Sequence, residues 1–175
     1  MKIIHELIPA RSYFPGNPYY PLLIYKESLL CLDKEPKTVQ IHLLQNDWRH
    51  SWVGSIYDYH HYHSNTHELL AIISGNCEVQ FGGENGSIYT VNQDDVIIIP
   101  AGVAHRSLHM SDNFQCIGAY PFEVEYDMRY GTAEEYPEAL NSIKQVGLPK
   151  KDPVFGEEGA LFTYLLTGMH PLSNT

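Results

Sequence analysis

The chain has 175 residues, the length of one ordinary domain, so a second core is not required. Eleven Lys and Arg stand against 21 Asp and Glu, for a formal charge of −10, a balance that repels phosphate backbones and anionic lipid surfaces and argues against nucleic-acid or membrane partners. The start, Met1 to Tyr13, shows no long apolar run of a secretory signal, and no stretch reaches membrane-spanning length; a cytoplasmic location is the expectation. Three cysteines at wide spacing, Cys31, Cys77 and Cys116, suit reduced thiols, and all three are read as small core residues.

Taken in order, the first 37 residues form an extended arm with Pro9, Pro15, Pro18 and Pro21, packed on the remainder or on a partner. Short apolar runs rich in Val, Ile, Tyr and Phe, separated by Gly, Asn, Asp and Pro, then predict an all-β sandwich or barrel. The strands are expected near Pro21–Tyr25, Gln40–Leu44, Val53–His63, Glu68–Ser74, Cys77–Phe81, Ser87–Val91, Asp95–Ile99, His105–His109 and Phe114–Ala119. Gly82 to Gly86 is a glycine-dense hairpin link, lacking the context of a phosphate loop. After Tyr130, Thr132 and Glu135 stand at capping-box spacing, followed by Leu140, Ile143 and Val146 at helical spacing and by Gly147 as a stop. Pro137 belongs in the first turn of this C-terminal helix. The segment Asp152 to Glu158 is expected as a solvated acidic loop. The organisation is one domain over 1–175: core about 38–125, arm 1–37, helix and tail 126–175.

Six of the ten histidines lie between His60 and His109, with His5, His42, His50 and His170 scattered elsewhere. Side chains alternate along a strand, so His61 and His63 share one face and His60 and Tyr62 the other. The turn formers Ser64, Asn65 and Thr66 precede Glu68, which opens the run Leu69 to Ile73 and brings a carboxylate beside the histidine pair. Beyond the turn Pro100-Ala101-Gly102, His105 closes the site from the opposite sheet. Three imidazoles and one carboxylate suit one divalent transition ion (Fe, Mn, Ni or Zn, with Cu also compatible) at bonds of about 2.0–2.2 Å, and leave positions open for chemistry. His67 replaces Glu68 if the strand starts one residue earlier. His60, on the other face, is an outer-contact, subunit-contact or surface group. Tyr57 and Tyr59 share the face of His61 and His63, as candidates to position a substrate or donate a phenolic proton or as packing. His109, four residues past His105, is either a cavity-lining proton shuttle or a polar residue at the rim. No Gly-Xaa-Ser-Xaa-Gly elbow and no Cys with His support is present, so a nucleophilic hydrolase has no foothold.

These residues carry a resemblance. His61-Tyr62-His63, four residues, Glu68, six residues, Gly75 resembles the first cupin motif, and Pro100 to His105 resembles the second. Ser55 and Asp94 stand where those motifs usually have Gly, and His109 where Asn is usual. The runs Pro21-Leu22-Leu23-Ile24-Tyr25, Asn46-Asp47-Trp48, Tyr57 to His61, Phe81 to Gly86 and Asp152 to Gly156 are similar to those of YjlB-like single-domain cupins. The resemblance implies a jelly-roll (double-stranded β-helix) barrel of six to eight strands with a metal in its mouth, assembled as a homodimer. A dioxygenase-like oxidoreductase acting on a small organic molecule is the leading functional expectation. A metal-dependent isomerase of a sugar or hydroxy-carbonyl compound, or a noncatalytic ligand-binding or sensing barrel, is the alternative.

Overall fold

The computed structural model describes residues 1–165; His170 lies outside them. Two antiparallel sheets stack as a jelly roll. The larger has the order β1-β2-β7-β4-β9-β3 and the smaller β6-β5-β8. The strands are β1 (Lys2–Glu6), β2 (Leu22–Lys26), β3 (Arg49–Gly54), β4 (Glu68–Ser74), β5 (Asn76–Phe81), β6 (Ser87–Asn92), β7 (Val96–Ile99), β8 (His105–Met110) and β9 (Gln115–Tyr120).

The large sheet is buried on both faces, which is why its central strands read as unbroken apolar runs. On the inner face Leu22, Ile24, Leu70, Ile72, Ile97, Ile99 and Cys116 meet Cys77, Val79, Phe81 and Val91 of the small sheet. On the outer face Leu23, Tyr25, Leu69, Ala71, Ile73, Val96, Ile98 and Ile117 pack with Val39, Leu43, Trp48 and Leu161. Those last residues come from outside the sheet. Val39 and Leu43 lie on helix α1 (Pro36–Gln45) and Leu161 on α3 (Ala160–Leu165).

Helix α1 corrects the strand expected at Gln40–Leu44. Pro36 sits in its first turn, and Val39 and Leu43, four apart, are its buried positions. The expected strand from Val53 to His63 is also revised. β3 ends at Gly54, residues 55–60 run without a ladder, and pairing resumes only as single bridges, His61 with His105 and Tyr62 with Arg129. The N-terminal segment supplies strands as well as an arm: β1 pairs with β2, and β2 with β7. Helix α2 (Tyr136–Gln145) has Pro137 in its first turn. The box forms just ahead of it, where the Glu135 carboxylate accepts from the amides of Tyr130, Gly131 and Thr132 and Thr132 Oγ1 accepts from the Glu135 amide.

Gly82 and Gly83 take φ of +89° and +87° in the β5–β6 link, as the hairpin expectation requires. Asp94 keeps the left-handed backbone of the glycine it stands for, at φ +76°, and pairs with Lys34 at 2.7 Å. Gly118 is required by packing, since a Cβ there would stand 2.1 Å from the Trp52 ring that lies across it. No described helix is long and apolar enough to cross a membrane.

Candidate metal centre

Glu68 begins β4 and His105 begins β8, while His61 and His63 lie on the bridged segment between the sheets. The backbone of His61 exchanges both hydrogen bonds with His105, at 3.3 and 2.9 Å, and Tyr62 does the same with Arg129 on the other side. Alternation is therefore enforced by two bridges of opposite facing, without a full strand. His61, His63, Glu68 and His105 are all buried. Glu68 Oε2 stands 3.3 Å from His63 Nε2 and 3.1 Å from His105 Nε2. The His61 and His105 rings lie 4.2 Å apart.

Each imidazole turns its Nδ1 to a backbone carbonyl: His61 to Tyr59 at 3.1 Å, His63 to Asp127 at 2.5 Å and His105 to Val103 at 3.3 Å. A carbonyl only accepts, so Nδ1 carries a proton in all three rings, and in the neutral form each Nε2 presents a lone pair. Glu68 Oε2 is buried without a hydrogen-bond donor. Lone pairs crowded around a carboxylate oxygen repel unless a cation lies between them, and this is the arrangement that outer carbonyls impose on metal-bound histidine. Neighbouring ligands about 2.1 Å from one ion stand about 3.0 Å apart in octahedral and about 3.4 Å apart in tetrahedral geometry. The two histidine–carboxylate distances fall in that range. Among the described residues no group of three or more His, Cys, Asp or Glu side chains is placed so that it could hold a metal ion; the match is confined to donor chemistry, tautomer and the two distances to Glu68.

Without an ion, a proton on His63 takes the place of the cation beside Glu68. Burial, and then the neighbouring His105, push His61 down to about 3. Burial also disfavours charge on His63, but the Glu68 carboxylate outweighs it and raises that pKa. Glu68 is held below the usual carboxylate range by His63 and His105, despite the opposing effect of burial.

A cavity of about 530 Å³ opens over these donors, with Trp52, Tyr57, Tyr59, Tyr120, Tyr126, Met128 and Tyr130 in its wall. Tyr57 and Tyr59 are exposed at its mouth and stack on each other at 4.9 Å. His67 does not compete with Glu68. Its Nδ1 accepts from the Ala101 amide and its Nε2 donates to the Gly147 carbonyl, both at 3.0 Å, and burial lowers its pKa to about 4.

His109 leaves the cavity. A bulge between Glu78 and Val79 of β5 pairs Ser107 with Val79 but His109 with Glu78, so Leu108 is the extra residue and His109 emerges on the exposed face. His60 packs its ring 5.2 Å from Phe14, away from the donors. Cys77 and Cys116 are buried, but Cys31 is exposed, against the expectation of a core position. Asp152 departs furthest from the solvated loop. It is wholly buried, accepting from the Tyr25 hydroxyl at 2.8 Å and from the amides of Val154, Phe155 and Leu161.

Two supporting groups had no signal near the motifs. The Asp127 carboxylate accepts from the Ser64 amide at 2.7 Å, from the Ser64 hydroxyl, from the Asn65 amide and from Arg129 Nε at 2.9 Å. Tyr120 donates its hydroxyl to Glu68 Oε1 at 3.1 Å while accepting from Trp52 Nε1 at 3.0 Å.

A two-sheet jelly roll with three histidines and a glutamate gathered at one end of its interior is the architecture of a cupin, and residues 50–117 match the Cupin domain family. The uncharacterized protein YjlB of Bacillus subtilis (strain 168) is 40% identical over 153 residues, covering 87% of this chain and 90% of that one. The chain belongs to the YjlB-like cupins. Among solved structures, it is similar to the WlaRB TDP-quinovose 3,4-ketoisomerase of Campylobacter jejuni (17% identity, 51% of this chain and 75% of that one, TM-score 0.40). It is also similar to the acireductone dioxygenase of Bacillus anthracis with a cadmium ion in its active centre (17% identity, 57% and 60%, TM-score 0.34). These likenesses are partial, and the activities in those names stay with those proteins.

Proposed function

We propose that His61, His63, Glu68 and His105 hold one divalent transition metal ion, and that the protein is a small dioxygenase-like oxidoreductase acting on a small organic molecule. The observation that carries the choice is the poverty of the cavity wall. Apart from the four donors it contains no Asp, Glu, His, Lys or Arg. A bound ion of this class supplies Lewis-acid polarisation of a substrate oxygen and, where it is redox-active, activation of dioxygen. The chain's own residues fix the imidazole tautomers, line the approach with aromatic rings, and offer phenolic hydroxyls from Tyr57 and Tyr59 as proton donors.

An isomerase moves a proton between carbons and needs a base free of the ion; phenols are poor ones at neutral pH, and burial pushes the Tyr120 hydroxyl higher still. A nucleotide-linked sugar also brings a diphosphate, for which this wall has no counter-charge. The same poverty suits a barrel that captures a ligand without turning it over, which is the second reading.

Metal analysis of untagged protein purified without chelator, beside a His63→Ala variant, tests the centre. About one ion per chain, lost in the variant, is the expected result. No ion in either protein after reconstitution with iron, manganese, nickel and zinc would sink the proposal. Oxygen consumption by the iron-loaded protein over a panel of small hydroxy-carbonyl and phenolic compounds then separates the readings, because saturable binding without oxygen uptake leaves only the binding barrel.

A further inference from the structure

The cavity wall constrains the ligand more closely than the donors do. Two stacked tyrosine pairs flank the donor cluster. Tyr57 lies on Tyr59 with planes 17° apart, beside His61, and Tyr120 lies on Tyr126 at 4.5 Å and 19°, beside His63. Tyr130 stands 6.1 Å from Tyr59. The donors are buried at the inner end of the cavity, whereas Tyr57, Tyr59, Tyr126 and Tyr130 expose between 38% and 54% of their surface around its mouth. Ring faces gathered in this way are apolar area that a flat ligand covers, with offset or edge stacking adding to the gain from the area itself.

The remaining lining, including Ile56, Leu70 and Met128, adds no Lys, Arg, Asn or Gln. A phosphate, sulfonate or second carboxylate entering this wall would give up hydration and find no positive partner. An ion held by four side chains and accepting six neighbours leaves two places for oxygen. The volume of about 530 Å³ suits a ligand of one ring or two fused rings.

We infer that the site takes a flat, uncharged ring compound bearing two adjacent oxygens, as in a catechol, a hydroxy-ketone or a hydroxamate. The oxygen pair meets the donor end and the ring lies among the tyrosines. This rests on the metal reading above and adds to it a selection by shape and charge that the donors alone do not impose.

Three probes share one chelating head and differ only in the group attached to it: acetohydroxamate, benzohydroxamate and 4-carboxybenzohydroxamate. Protein loaded with Co(II), its metal content measured first, is titrated with each and monitored by the visible spectrum of the ion. Benzohydroxamate is expected to bind at least 10-fold more tightly than acetohydroxamate and at least 5-fold more tightly than the carboxylated ring. Tyr59→Leu should shrink the first ratio, and Met128→Lys, which places a cation in the wall, should shrink or reverse the second. Equal affinities in protein carrying one Co(II) per chain would overturn the selection and leave the metal centre standing. Failure to retain Co(II), or any of the other ions, would overturn the centre and the selection together.

Discussion

His63 donates its Nδ1 proton to the backbone carbonyl of Asp127 at 2.5 Å, a contact between residues 64 positions apart. The same Asp127 uses its carboxylate to hold the next two residues after His63, through the amides of Ser64 and Asn65 and the Ser64 hydroxyl. One residue from beyond the last strand thus sets both the tautomer of a donor histidine and the path of the chain that carries it. Arg129 Nε at 2.9 Å completes the charge balance of that carboxylate, whose pKa is lowered by Ser64 and Arg129 against the effect of burial.

Asp127→Ala should therefore weaken metal binding by about 10–100-fold, the usual cost of removing an outer support from a ligating histidine. Competition with a chromophoric chelator measures it, and circular dichroism should show the fold retained. Unchanged affinity in the folded variant would mean that the carbonyl alone orients His63.

His67 and Glu68 are neighbours with opposite assignments. His67→Phe strands the buried Ala101 amide and the Gly147 carbonyl, so it should cost about 2–4 kcal/mol in urea unfolding while metal content per folded chain stays that of the parent. Glu68→Gln should lose the ion, with a smaller stability cost, since its amide can still accept from Tyr120. Loss of metal from folded His67→Phe, with metal kept in Glu68→Gln, would exchange the two roles.

The gathering of His61, His63, Glu68 and His105 was legible because the information is local. Alternation places His61 with His63, a turn separates them from Glu68, and the proline turn delivers His105. β4, β7 and β9 were legible because a sheet covered on both faces leaves long apolar runs in the sequence. Ile41-His42-Leu43-Leu44 was ambiguous, as a short apolar run fits strand or helix, and the deciding signal was Pro36 at the helix start rather than the run itself. His109 was misplaced because one extra residue, Leu108, reverses facing beyond it, and a bulge has no signature in a strand pattern. Asp127 and Tyr120 could not be found from the motifs, since each acts on a residue more than 50 positions away.

The cysteines give a test of burial that needs no metal. Burial, and then the nearby Glu78, push the Cys77 thiol up to about 11, and burial raises Cys116 further, so neither forms an appreciable thiolate at neutral pH. Native protein at pH 7.5 should thus release close to one equivalent of thionitrobenzoate from Ellman's reagent, from exposed Cys31, and about three after unfolding in guanidinium. Cys31→Ser should abolish the native fraction. Fast native reaction of two or more thiols would contradict the buried positions on β5 and β9.

Asp152 carries the last prediction, because an acidic residue in a Pro- and Gly-bearing segment reads as solvent-facing and instead lies at zero exposure. It joins Tyr25 of β2 to the amide of Leu161 on α3, and Leu161 in turn covers the outer face of the large sheet beside Trp48 and Leu43. Asp152→Ala removes the acceptor from one hydroxyl and three amides at once. A loss of about 3–5 kcal/mol is expected, the size associated with breaking a buried hydrogen-bonded charge. The loss should begin locally: limited proteolysis should cut the variant within 150–165 at protease levels that leave the parent intact, while metal content per folded chain stays that of the parent. Tyr25→Phe deletes only one of the four donors and should cost about 1–2 kcal/mol. If Asp152→Ala unfolds at the same denaturant concentration as the parent and resists cleavage equally, this carboxylate does not hold the C-terminal segment to the sheet.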